Sequence, residues 1–287
     1  MASTDYQTAP IAEKEAGAVP NTTGADVNGT NPAIQRYDYG GNPLFLAHAG
    51  NEPRLAAFGG EFQPGLYRST EHRKFANPAP LGLSAFALTT FVLSLVNLNT
   101  RGVSAPNIAL SAAYGYGGLI QLLAGMWEMA VGNTFGATAL SSYGGFWIAY
   151  AIILTPGFGV LAAYDDAADV ASVLGFFLSG WFIFTFILFI LTLRSTVMFC
   201  SLFLTLDLAF LFLAISEFVK SNGHAATSLG LQKAGGVFGL FAAFLAWYNA
   251  FAGIADTSNS FFIIPVFHFP WSEKGREARV KSPRETA

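Results

Sequence analysis

Charge is scarce in this chain. Asp, Glu, Lys and Arg together make up 11% of its 287 residues, where a soluble domain carries about 25%. Hydrophobic residues make up 53%, with 28 Phe among them, so the bulk of the chain is not an ordinary soluble core. The formal charge is only −3, which argues against a nucleic-acid partner. Cysteine occurs once, as Cys200 inside an apolar run, and this excludes an intrachain disulfide. The four histidines, His48, His72, His224 and His268, all fall outside the apolar runs. There is no Gly-x-x-x-x-Gly-Lys loop, no Cys-x-x-Cys pair and no His-Glu-x-x-His pattern, so no metal site and no cofactor are expected. The chain reads as a conduit and not an enzyme. The N-terminus lacks the basic-then-apolar pattern of a cleaved leader, and the first apolar run is expected to act as the insertion signal.

Six long apolar runs are present, near Leu81–Leu98, Ile108–Val131, Gly144–Leu161, Ser172–Leu193, Val197–Phe218 and Gly235–Ala255. Each has the length needed to cross a bilayer as a helix. The expected fold is an all-α polytopic membrane protein, a six-helix transmembrane bundle. Residues 1–76 form a cytosolic tail, 77–256 the membrane domain and 257–287 a cytosolic C-terminal tail. Ala, Thr, Asn, Pro and Gly dominate up to about Arg36 and read as disordered. From Tyr37 to Lys74 aromatic residues appear among Gly and Pro, as in a small cap or a tether. Six spans put both termini on one side. Of the 15 Lys and Arg residues, Arg101, Lys220 and Lys233 fall on the opposite side and all others on the terminal side. The positive-inside rule therefore places both termini in the cytosol. On that reading the sequons at Asn21 and Asn28 stay unmodified, and the acidic loop Asp165–Asp169 is a solvated outer loop.

Polar groups inside the runs are the candidate functional residues. Asn77 precedes Pro78 at the head of the first run. It reads as an N-cap, with Pro78 in the first turn, where its missing N–H is harmless. A helix N-terminus with free amides and partial positive charge can hold a carboxylate, or can be a plain helix start. In the second run Gly117, Gln121, Gly125 and Glu128 share one helical face. Gln121 lies mid-span and Glu128 near the cytosolic end. They mark a solute or proton path, or else an interhelical hydrogen bond and a snorkelling carboxylate. Asp207 lies mid-membrane in the fifth run with no Lys, Arg or His at its depth, so it must be neutral or hydrogen-bonded. Thr89 and Thr90 offer hydroxyls that a solute or their own helix can take. Gly235, Gly239 and Ala243 form a packing face, and Asn249 is a buried polar candidate.

Asn77-Pro78-Ala79-Pro80-Leu81-Gly82-Leu83, followed by Gly132-Asn133-Thr134-Phe135-Gly136, Ser142-Tyr143-Gly144 and Phe146-Trp147, resembles the acetate uptake transporter family. That family comprises bacterial succinate–acetate permeases and fungal acetate transporters. The long N-terminal tail and the stretch from Asp256 to Trp271 look like its fungal branch. The resemblance implies a six-helix protomer with its own pore, assembled as a hexamer in the plasma membrane. The substrates it implies are acetate and similar short monocarboxylates; a proton is expected as co-substrate because a negative-inside potential opposes entry of the bare anion. It also implies a pore narrowed by Phe86, Tyr143 and Leu206. Here Asp207, beside Leu206, departs from the small polar residue the family carries. Combined with the polar groups above, the expected carboxylate contacts are Asn77, Thr89, Gln121 and Tyr143. The expected proton carriers are Glu128 and Asp207. Two rival readings follow: an ammonium or ammonia exporter, whose cation would favour carboxylates and aromatic faces, and an acetate-sensing membrane receptor that signals through the tail.

Overall fold

The computed structural model describes residues 75–256 and 258–276. The readings of residues 1–74, including the two sequons and the aromatic stretch, lie outside the described residues. Among the described residues six apolar helices are long enough to span a membrane: α1 Ala79–Asn97, α2 Asn107–Ala130, α3 Thr134–Leu154, α4 Ala167–Thr192, α5 Val197–Ser221 and α6 Ala225–Ile254. Helix α1 therefore starts on the same face, here the terminal face, as the one where α6 ends.

Local chemistry fixes the helix ends. Asn133 caps α3, its side-chain oxygen accepting from the Gly136 amide at 2.7 Å. Asp166 caps α4 through the Ala168 amide at 3.0 Å, and Thr196 caps α5 through the Phe199 amide at 3.2 Å. Each satisfies an amide that the first turn leaves unpaired. The α1 start differs from expectation. Pro78 is the flanking residue and the helix begins at Ala79, with Pro80 in its first turn. Asn77 accepts from the Ala79 amide at 3.1 Å.

Helix α2 is not a uniform helix. Residues Gly115–Ile120 form a π-helical turn between two α-helical halves. Gly118 is required there, because a β-carbon on it would lie 2.2 Å from the Ala113 carbonyl oxygen. Two spans are placed differently from the sequence expectation. Helix α3 runs from Thr134 to Leu154, not Gly144–Leu161. The Asn133 cap starts it early, and Thr155-Pro156 ends it. Helix α6 begins at Ala225, ten residues before Gly235, and its first turns carry Gln232 and Lys233, which break the apolar run. As a result Tyr143 sits in the middle of α3 and not in a connecting segment.

The helices form a ring. Helix α1 packs on α6 and on the central part of α2, α2 on α3, α4 on α5, and α5 on α6. Between α3 and α4 the contact is made chiefly by large side chains. Phe146 meets Phe177 at 5.8 Å and Trp181 at 5.1 Å between ring centroids, and Tyr143 meets Trp181 at 6.0 Å and Phe184 at 5.8 Å. The expected packing role of α6 glycines holds: a β-carbon on Gly235 would meet Leu213 at 2.7 Å and one on Gly239 would meet Ser94 Oγ at 2.2 Å.

Candidate functional site

The middle of the ring holds a narrow cavity of about 20 Å3. That is room for little more than one water. Phe86 of α1, Tyr143 of α3 and Leu206 of α5 all line it, together with Gln121, Leu202 and Phe203. Phe86, Tyr143 and Leu206 are each buried. The Phe86 and Tyr143 rings lie 6.0 Å apart, tilted by 50°, and the Tyr143 and Phe203 rings 6.4 Å apart. Three residues expected to narrow a pore thus meet at one place, each near the midpoint of its helix. On the terminal side a second aromatic group closes the space. Phe135, Phe199 and Phe203 have centroids 5.1–5.6 Å apart, in edge-to-face contacts.

Gln121 is the polar group in this apolar wall. It is fully buried, and neither its amide oxygen nor its amide nitrogen has a hydrogen-bond partner. Buried polar groups are nearly always satisfied, so an unpartnered amide on a residue that lines the cavity is suited to a polar solute. The interhelical hydrogen bond weighed for Gln121 is not formed. Glycines bring its helix this close: β-carbons on Gly125 and Gly144 would lie 2.3 Å from Ser141 Oγ and 2.7 Å from the Leu122 amide nitrogen.

Glu128 lies two helical turns from Gln121 towards the terminal face. It is 1% exposed, so it does not snorkel. Its Oε1 has no partner. Glu128 and Asn133 flank Gly136, where a β-carbon would lie 2.4 Å from Asn133 Nδ2 and 3.0 Å from Glu128 Oε2. Asp207, 5% exposed, follows Leu206 on α5, and its Oδ1 has no partner either. Asp207 does not line the cavity itself.

Two expected solute contacts lie elsewhere. The Thr89 hydroxyl donates to the Ala85 carbonyl at 2.9 Å, so it has no proton left for a carboxylate. Thr89 packs on Gly117, outside the cavity lining. Asn77 sits at the terminal face by Gly253 of α6, away from the cavity. The Tyr143 hydroxyl is engaged with Thr185 Oγ1 at 2.9 Å. Thr185, Phe199 and Phe203 were not singled out by sequence reasoning, and Asn133 and Phe135 entered it only as members of a motif. A lone hydroxyl in the apolar run Phe182-Ile183-Phe184-Thr185-Phe186 was the available signal for the first.

Comparison with known proteins bears on this arrangement. Acetate permease A of Emericella nidulans is 62% identical over 256 residues, covering 88% of this chain and 85% of that protein. Ammonia transport outward protein 2 of Saccharomyces cerevisiae is 48% identical over 239 residues, 83% of this chain and 80% of the other. The solved structure of the bacterial acetate channel SatP superposes with a TM-score of 0.58 at 34% identity, covering 67% of this chain and 99% of that one. The pattern that unites such proteins runs through residues 58–271, across all six helices and the constriction between them, and the chain belongs to the GPR1/FUN34/yaaH family.

Proposed function

We propose that this protein moves acetate and similar short monocarboxylates across the plasma membrane, through a passage inside each protomer, together with a proton. The observation that carries the reading is the convergence of Phe86, Tyr143 and Leu206 on one cavity with the unpartnered amide of Gln121. A small acid has an apolar methyl and a polar carboxyl. An apolar constriction with one polar group in its wall matches both ends. The relatives named for acetate support the substrate class.

The cavity is smaller than acetate, which has four heavy atoms, so the rings of the constriction must move aside for each passage. That suits a gated carrier better than an open channel. Both termini lie in the cytosol on this reading, and Asn77 then sits at the inner mouth, where the α1 N-terminus attracts anions. The protomers form a homo-hexamer embedded in lipid.

Proton coupling has a physical motive. A carboxylic acid titrates near pH 4, so the substrate is mostly ionised at neutral pH. Carrying that anion inward against a negative-inside potential costs about 2.3 kcal/mol per 100 mV. One proton carried with it removes the cost. Glu128 and Asp207 are the buried carboxylates placed to help.

The test is uptake of labelled acetate into liposomes, with and without an acid-outside pH gradient. Uptake driven by the gradient supports symport, and gradient-independent flux leaves a passive channel. The relative named for ammonia makes an ammonia exporter the second reading. Methylammonium flux exceeding acetate flux in the same vesicles would decide for it. A receptor of acetate would bind without flux and lose its output when residues before Phe75 are removed.

A further inference from the structure

The constriction is held across the seam where the helix ring is closed by side chains. There Tyr143 of α3 reaches Thr185 of α4 at 2.9 Å between hydroxyl oxygens. Thr185 is fully buried, in a stretch of α4 that is otherwise Phe, Ile and Leu. Tyr143 is 3% exposed, and its ring is surrounded by Phe86, Trp181, Phe184 and Phe203. None of those four offers the phenol an oxygen on its side chain. Thr185 does.

We infer that Thr185 is a positioning residue that sets the selectivity of the passage: its hydroxyl pins the Tyr143 phenol in the α3–α4 seam and so holds the ring closed against Phe86. This rests on the reading of the passage as a route for short carboxylates. The argument is one of hydrogen-bond satisfaction. With Thr185 present, the phenol hydroxyl is paired in an apolar seam, and the ring face fills the cavity wall. Without it, the hydroxyl is buried and unpaired, which is unfavourable. The ring then turns towards the polar groups near it. Gln121 lines the same cavity, and Asp207 directly follows Leu206, which lines it too. Either movement takes the ring away from Phe86 and widens the passage. A phenylalanine at position 143 has no hydroxyl to satisfy and stays in the seam.

The experiment compares acetate and lactate flux at equal pH into liposomes holding the full chain. Thr185→Val removes the hydroxyl and keeps the shape. It raises the lactate-to-acetate ratio roughly fivefold, the scale of one neutral hydrogen bond. Thr185→Ser retains most of the parent's selectivity. Adding Tyr143→Phe to Thr185→Val brings the ratio back towards the parent's, because the orphaned hydroxyl is gone. A purely packing role for Thr185 predicts no such rescue by a change on another helix. If Thr185→Val is not recovered folded, Thr185→Ala with and without Tyr143→Phe makes the same comparison. An unchanged ratio in folded Thr185→Val or Thr185→Ala overturns the inference while leaving acetate transport intact, and so does failure of Tyr143→Phe to restore it. A parent that passes neither acid overturns the transport reading and this inference with it.

Discussion

Gly117 of α2 lies so close to Thr89 of α1 that a β-carbon at the glycine would sit 2.5 Å from Thr89 Oγ1. This contact falls within the π-helical turn, one helical turn before Gln121. The absence of a side chain at Gly117 is therefore what lets α1 and α2 meet at the depth of the cavity.

Gly117→Ala is accordingly expected to push the two helices apart and destabilise the fold by about 1–3 kcal/mol, the range for overpacking. Gly145→Ala is the control, since nothing lies within 4 Å of a β-carbon there. Thermal unfolding of the two purified variants checks this. A Gly117→Ala protein as stable as Gly145→Ala would show that α1 and α2 have slack at this contact.

Leu206 is 6% exposed and lines the cavity opposite no charged group. Leu206→Ala removes three carbons from the wall and is expected to admit larger acids such as lactate. Truncation of a buried leucine also costs about 2–5 kcal/mol of stability, so the variant must first be shown to fold. Lactate flux that stays at the parent's level in folded protein would place the selecting group elsewhere.

The membrane fold was legible because lipid requires continuous apolar helices, and six such runs stand out. Helix bounds were less so. The α3 start hides in Asn133-Thr134-Phe135-Gly136, where one cap outweighs low apolar content. The α6 start hides behind Gln232 and Lys233, which a helix tolerates beyond the apolar core. Phe86, Tyr143 and Leu206 could be chosen by motif, and they do meet. Of the two roles open to Thr89, the structure shows the bond to its own helix, as a helical threonine commonly makes on the preceding turn. Thr185 was overlooked because its importance depends on which residue faces it, and sequence spacing does not report a contact between positions 143 and 185.

The chain after α6 returns to the bundle on the terminal face. The Val197 amide donates to the Phe267 carbonyl at 2.7 Å, and the Trp271 indole donates to the Leu193 carbonyl at 2.8 Å. His268 forms a bridge pair with Thr196. Burial, and then the positive Lys274, hold the His268 imidazole below its ordinary titration range. A depressed histidine favours the docked segment when neutral. Docking is therefore complete above about pH 6.5, the ordinary value. It weakens as pH falls from there to the lowered docked value, and is constant below that. Limited proteolysis of the C-terminal segment should be faster at pH 5.5 than at pH 7.5 in the parent and pH-insensitive in His268→Gln. Equal rates at both pH values in the parent would remove His268 as the cause.

The last expectation concerns the proton. Glu128 and Asp207 are buried at 1% and 5% exposure, and each has a carboxylate oxygen without a partner. Glu217 differs in having a cation beside it: it lies near the far end of α5, where its Oε2 makes no hydrogen bond but stands 3.5 Å from Lys220 Nζ, an ordinary interfacial ion pair. A buried carboxylate with an unpartnered oxygen has a place to take up a proton when the passage is acidified and release it when the passage opens to a neutral compartment. Glu128→Gln and Asp207→Asn keep shape and hydrogen-bonding capacity but carry no proton. Each should weaken acetate accumulation driven by a pH gradient by about tenfold, the rate equivalent of roughly 1.4 kcal/mol, while changing acetate exchange at equal pH much less. The two assays separate coupling from passage, because a blocked passage slows both. If one variant alone loses accumulation, that carboxylate carries the proton. If both accumulate acetate like the parent, the proton travels with the acid itself, as neutral acetic acid slipping past the Phe86–Tyr143–Leu206 rings.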